Sequence, residues 1–138
     1  MLKGIPTIIS PDLLKILAEM GHGDEIVIAD AHFPAYSVNS KVMRADGVNA
    51  PELAAAVMKL IELDSYVEFP ARMMQTVPGD TADVTLRQEY QKALKNAPIG
   101  FLERFDFYRQ AKSAYCVVIT GEKRKYGNII LKKGVVAE

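Results

Sequence analysis

The chain has 138 residues, balances 17 basic against 17 acidic side chains and is 49% hydrophobic. That length suits one domain with a real core, the balance leaves no global field to attract nucleic acid or anionic lipid, and the apolar content excludes a disordered chain. Cys116 is the single cysteine, so no internal disulfide forms and a reducing compartment, the cytoplasm, is expected; no apolar run nears the roughly 20 residues of a membrane span, and Met1–Ser10 lacks a signal-peptide layout.

Ser10-Pro11-Asp12 reads as a helix start, with Ser10 as cap, Pro11 at the first helical position and Asp12 at the positive end of the dipole. Leu13, Leu14, Ile16, Leu17 and Met20 then recur with helical period, and Gly21 is a natural stop. Glu25 to Asp30 is an apolar strand with an interior character. Ala31 to Tyr36 reads as a loop at its end. Lys41 to Ala45 is a short strand closed by the turn pair Asp46-Gly47. Pro51 to Leu63 is a helix with Leu53, Ala54, Val57, Leu60 and Ile61 along one side.

Ala71 to Val77 is a strand ended by Pro78-Gly79. Asp83 to Asn96 is a surface helix whose Val84, Leu86, Tyr90 and Leu94 stand against many charges. Ile99 to Phe105 reads as a strand leading to a helix over Phe107 to Ala114. Tyr115 to Thr120 is a second strongly apolar strand, Gly121 to Lys125 a polar loop, and Asn128 to Lys132 a last strand. The alternation of helices and strands predicts helices packed on a central sheet, an α/β fold in one domain over residues 1–138.

The chemistry-bearing stretch is Gly21-His22-Gly23, the strand after it, and Asp30 at that strand's end. Glycines on both sides of His22 suggest tight backbone. The imidazole is either a helix C-cap meeting the dipole or an acid/base group that titrates near neutral pH. Asp30 caps the turn after the strand, or offers a carboxylate at a position where α/β proteins often place chemistry. His32 reads as a loop or interface residue. No His or Cys spacing resembles a zinc motif, and Cys116 within an apolar strand reads as a small buried hydrophobe. Arg104, beside Glu103, is either half of an exposed ion pair or a donor fork for hydroxyls. Tyr126 and Asn128 around Gly127 suit a sugar, with the ring covering C–H groups and the amide pairing hydroxyls, and equally suit an ordinary turn. The run from Gly121 to Gly127 is interrupted by Glu122 and reads as a solvated loop, without the lysine-hydroxyl ending of a phosphate loop.

Taken in order, several blocks resemble the L-fucose mutarotase and D-ribose pyranase family. They are Met1-Leu2-Lys3, Ile9-Ser10-Pro11, Glu19 to Glu25, Ala29 to Ala35, Arg44 to Gly47, Glu62 to Tyr66, Ile119 to Glu122 and Lys125 to Ile129. The resemblance covers essentially the whole chain. Arg44-Ala45-Asp46-Gly47, Arg104 ahead of Phe105, and Tyr126-Gly127-Asn128 are more similar to the fucose branch, since the ribose branch usually has a histidine in place of Arg104 and an alanine in place of Gly127. Asn96 to Phe101 is shorter than in some fucose members.

The resemblance implies a three-layer α/β/α fold with a central mixed sheet. It implies His22 as proton donor, with Asp30, Arg104, Tyr126, Gly127 and Asn128 binding a monosaccharide. It also implies rings, commonly decamers of two stacked pentamers, with sites at subunit boundaries. Anomers interconvert by proton transfers alone, so no metal or other cofactor is expected. The rival readings are a D-ribose pyranase and a non-catalytic sugar-binding or transport-associated subunit. Eight residue steps separate His22 from Asp30, and an extended chain would place them roughly 26 Å apart. Either a sharp bend in the chain or two subunits contributing to one site would resolve that separation, and the second also accounts for sites at subunit boundaries.

Overall fold

Strand β1 (Glu25–Ala29) lies in the interior of the sheet in the computed structural model, which describes residues 1–137. It pairs in parallel with β5 (Cys116–Thr120) and antiparallel with β6 (Ile129–Lys132). The six-stranded order is completed by β2 (Val42–Ala45), β3 (Ala71–Met74) and β4 (Ile99–Leu102), as β2-β5-β1-β6-β3-β4. β2 runs parallel to β5, β3 parallel to β4, and β6 antiparallel to β3. Five strands therefore end at one edge of the sheet, and β6 begins there.

Strand side chains alternate faces. Ile26 and Ile28 accordingly join Cys116, Val118, Ile129 and Leu131 in one core, while Val27 and Ala29 join Val117, Ile119 and Ile130 in the other. Helices α1 (Pro11–Glu19), α3 (Ala50–Val57) and α4 (Val84–Ala93) cover the first face through Leu13, Leu53, Leu86 and Tyr90. The single turn α2 (Ala35–Val38) and helix α5 (Arg104–Ser113) cover the second through Ala35, Phe107 and Ala111. Apolar strands covered on both faces make the expected three layers around a mixed sheet. No helix among the described residues is long and apolar enough to cross a membrane.

Helix starts follow their caps. Ser10 Oγ accepts from the Leu13 N–H at 3.1 Å, and Asp83 accepts from Thr85 and Leu86. Glu103 does the same for Phe105 and Asp106, so α5 begins at Arg104 rather than Phe107, and the strand before it stops at Leu102 instead of Phe105. The helix expected to reach Leu63 ends at Val57, whose carbonyl then takes two turn bonds from Leu60 and Ile61; Leu63 instead bridges Lys133. The stretch expected as a loop before β2 contains α2, entered through Pro34. Val84, placed on the buried side of α4 by periodicity, is exposed. Of the glycines around His22 only Gly23 needs its freedom, at φ 89°.

Candidate functional site

At the sheet edge where the parallel strands end, an open depression of about 240 Å³ is bounded by residues from four connections. Asp30 follows β1, Met74 closes β3, Arg104 opens α5 after β4, and Tyr126 and Asn128 precede β6. This is the edge at which open α/β sheets bind ligands. Phe33, Pro34 and Tyr108 supply apolar wall, with the Phe33 and Tyr108 rings 5.7 Å apart.

Asp30 is the anchor. Its carboxylate is 3% exposed, with Oδ1 accepting from the His32 N–H at 3.0 Å and Oδ2 from the Gly127 N–H at 3.1 Å. Its own N–H donates to Asn128 Oδ1 at 2.8 Å. Asp30 therefore caps the turn after β1 and also ties that turn to the segment ahead of β6. Burial pushes its pKa up, and the two N–H donors and nearby His32 recover only part of that shift.

The Tyr126 segment is held from outside by a residue the sequence did not single out. The Tyr126 hydroxyl donates to Asp80 Oδ2 at 2.9 Å and accepts from the Val77 N–H at 3.3 Å, while Lys125 Nζ lies 2.6 Å from Asp80 Oδ1. Lys125, the Thr81 N–H and the Tyr126 hydroxyl hold Asp80 down to about 2. Tyr126 itself has φ 63°, a left-handed conformation unusual for a tyrosine. Pro78-Gly79 marked a turn here, but nothing local shows that its Asp80 meets a tyrosine 46 residues away.

Arg104 makes no ion pair among the described residues; Glu103 serves as the helix cap, and the guanidinium carbon stands 4.6 Å from the Phe105 ring centroid. The donor fork is thus left for the depression. Glu122 departs from the solvated loop expected for it. It is 3% exposed and grips Arg124 through both carboxylate oxygens at 2.9 Å, and Arg124 also pairs with Glu89. Burial raises the Glu122 pKa, but the Arg124 contacts outweigh it and the net shift is downward. Cys116 lies in the core, where burial pushes its thiol up to about 11.

His22 is elsewhere. It precedes β1, at the opposite end from Asp30, and the five residues of β1 at about 3.3 Å each separate the two by roughly 16 Å or more. It does not line the depression. Nor is it the cap of α1, a position taken by Met20. Its Nε2 lies 3.0 Å from Asp64 Oδ1, and its ring centroid 5.4 Å from that of Tyr66. A carboxylate only accepts, so Nε2 donates and neutral His22 keeps its lone pair on Nδ1. Asp64 is 6% exposed, and the Tyr66 N–H together with His22 holds its pKa down. The His22 side chain remains 45% exposed and Tyr66 80% exposed, so this aromatic pair faces outward. His32 lines the depression instead, its Nε2 donating to the Lys123 carbonyl at 3.1 Å.

Residues 3–136 match the model of a family described as the RbsD / FucU transport protein family. The L-fucose mutarotase of Actinobacillus pleuropneumoniae serotype 5b (strain L20) is 57% identical over 140 residues, covering 98% of this chain and 97% of that protein. Among solved structures, FucU from Bifidobacterium longum superposes with a TM-score of 0.94 at 49% identity, covering 98% of this chain and all of the other. The fucose mutarotase from Streptococcus pneumoniae in complex with L-fucose does so with a TM-score of 0.92 at 49% identity, covering 99% of this chain and 100% of that one. With the match spanning nearly every residue and both structures sharing the fold end to end, this chain belongs to the RbsD / FucU family.

Proposed function

We propose that the protein is an L-fucose mutarotase, an isomerase that interconverts the α and β anomers of the sugar in the cytoplasm. The observation that carries this reading is the depression around Asp30. A backbone-anchored carboxylate, a free guanidinium and an amide stand beside aromatic wall, an arrangement that pairs hydroxyls and covers C–H faces. The relatives named L-fucose mutarotase, similar along nearly their whole length, support the choice of sugar and reaction.

Asp30, Arg104 and Asn128 hold hydroxyls, with Tyr126 and Gly127 completing the wall. A base removes the anomeric O–H proton while an acid protonates the ring oxygen; the ring C–O bond breaks, the aldehyde rotates, and the ring recloses on its other face. His22 serves as the proton carrier. With Nε2–H on Asp64, Nδ1 is the nitrogen left to exchange the proton, and the Asp64 carboxylate stabilises the imidazolium that forms. Because His22 and Asp30 sit at opposite ends of β1, His22 of one subunit completes the pocket of a neighbour. The exposure of the His22–Tyr66 pair supports that contact. A closed assembly, the decamer of two pentameric rings, repeats the boundary. A D-ribose pyranase is disfavoured by Arg104 and Gly127, and a non-catalytic sugar-binding subunit has no use for an imidazole oriented by a buried carboxylate.

Exchange NMR on equilibrated L-fucose tests the reading. The native protein should speed anomer exchange, and His22→Gln should abolish the acceleration while leaving sugar binding intact. Acceleration of D-ribose alone, or binding without faster exchange of any sugar, would overturn it. Mixing inactive His22→Gln with inactive Asp30→Ala should restore activity after subunits exchange. No recovery despite exchange shown by mass spectrometry would refute the shared site.

A further inference from the structure

We infer that Tyr90 is a positioning residue for the sugar pocket, acting through the peptide that joins Gly127 to Asn128; the inference rests on the pocket proposed above. Tyr90 lies on α4, one sheet layer away from the depression, and is fully buried. Its ring packs among Leu86 and Leu94 in the core, a task phenylalanine would fill equally well. The hydroxyl therefore needs its own explanation. It donates to the Gly127 carbonyl at 2.5 Å, and burial pushes the phenol well above its usual range, so it remains a donor at every working pH.

Gly127 is thereby pinned on both sides. Its N–H is taken by Asp30 and its carbonyl by Tyr90. On one flank stands Tyr126 in a left-handed conformation, which persists only where surrounding contacts determine it. On the other stands Asn128, whose amide oxygen is taken by the Asp30 N–H. The adjacent α4 residue, Glu89, reaches the same connection through Arg124. Helix α4 thus sets the plane of the 127–128 peptide, and with it the aim of two proposed sugar-binding side chains and the carboxylate of a third. Contacts of this kind bind substrate and transition state alike, so their loss appears in KM.

The test is Tyr90→Phe in the full chain. We expect an unchanged circular dichroism spectrum, a KM for L-fucose raised about tenfold with kcat within about twofold, and the Asn128 amide 15N resonance moved, since a hydrogen bond to a carbonyl polarises the N–H of the same peptide. A lowered melting temperature with native KM and a native Asn128 resonance would show that Tyr90 only fills the core. A fall in kcat at unchanged KM would equally overturn the inference. Should Tyr90→Phe fail to fold, 3,5-difluorotyrosine at position 90 keeps the ring and strengthens the donor, and an unmoved KM and Asn128 resonance would again overturn it. If the native protein does not accelerate fucose exchange, the proposed function fails separately. The Asn128 resonance and the sugar dissociation constant still decide for or against Tyr90.

Discussion

Replacing Gly127 by alanine probes the backbone that backs the depression between Tyr126 and Asn128. A Cβ there would lie 3.1 Å from the Arg124 carbonyl oxygen, 3.1 Å from Glu122 Cγ and 3.2 Å from Asp30 Cβ. Gly127 is not among the glycines with positive φ, so the cost is steric. Two of the three neighbours belong to buried carboxylates and the third is backbone, so relief requires the segment to move by a few tenths of an ångström. Moving away from Asp30 lengthens the 3.1 Å Gly127–Asp30 bond past the usual limit of about 3.2 Å. Most of a hydrogen bond worth about 1 kcal/mol is then lost, with about 1 kcal/mol more from overpacking. We expect Gly127→Ala to fold, to melt roughly 4–8 °C lower by calorimetry, and to bind L-fucose about fivefold more weakly, the equivalent of about 1 kcal/mol. Native melting and native affinity together would refute the claim that this backbone is tightly enclosed.

Asp64→Asn keeps the shape beside His22 but removes the charge that stabilises its imidazolium. The exchange rate should fall about 10- to 100-fold with fucose binding unchanged, and a native rate would remove Asp64 from the mechanism. Asp80→Asn weakens the grip on Tyr126 and Lys125, so KM should rise severalfold in a saturation series; an unaltered KM would mean that the Tyr126 hydroxyl does not matter to the sugar. The acid limb of stability follows from opposed shifts. Asp80 and Glu122, held below their ordinary values, stabilise the fold above the unfolded pKa near 4, and that contribution is lost as pH falls, for Asp80 toward about 2. Asp30, raised by burial, has the opposite sign: its cost appears as pH rises from near 4 through its folded pKa. Urea midpoints from pH 3 to 7 should therefore decline less steeply on acidification in Asp80→Asn. In Asp30→Asn they should lack the downward term on raising pH, and parallel curves for all three proteins would contradict both assignments.

Much of the architecture was legible because its causes are local. Ser10, Asp83 and Glu103 bond N–H groups two or three residues on, so helix starts are written within a few positions of themselves. An ion pair of Glu103 with Arg104 stands in sequence as one of two readings of the arginine, because a carboxylate beside an arginine looks the same whether it caps or pairs. Two strands end sooner than expected, β3 at Met74 rather than Val77 and β4 at Leu102 rather than Phe105, the second because Glu103 caps α5 and turns the chain into the helix. Of the expected pocket residues, Asp30, Arg104, Tyr126 and Asn128 meet around one depression with Gly127 behind them, while His22 stands apart.

The sequence by itself determined the alternating apolar strands, the capped helices, the core cysteine and, through its resemblance, the family. Only the tertiary structure decided that Asp80 holds Tyr126 from 46 residues away, that Asp64 orients His22 from 42, and that Glu122 is buried rather than solvated. The division has one physical reason. Capping and periodicity act over a turn or two of chain, whereas these pairings depend on the order of strands in the sheet, with β6 inserted antiparallel between β1 and β3. That order brings together connections whose residues carry no local mark of one another.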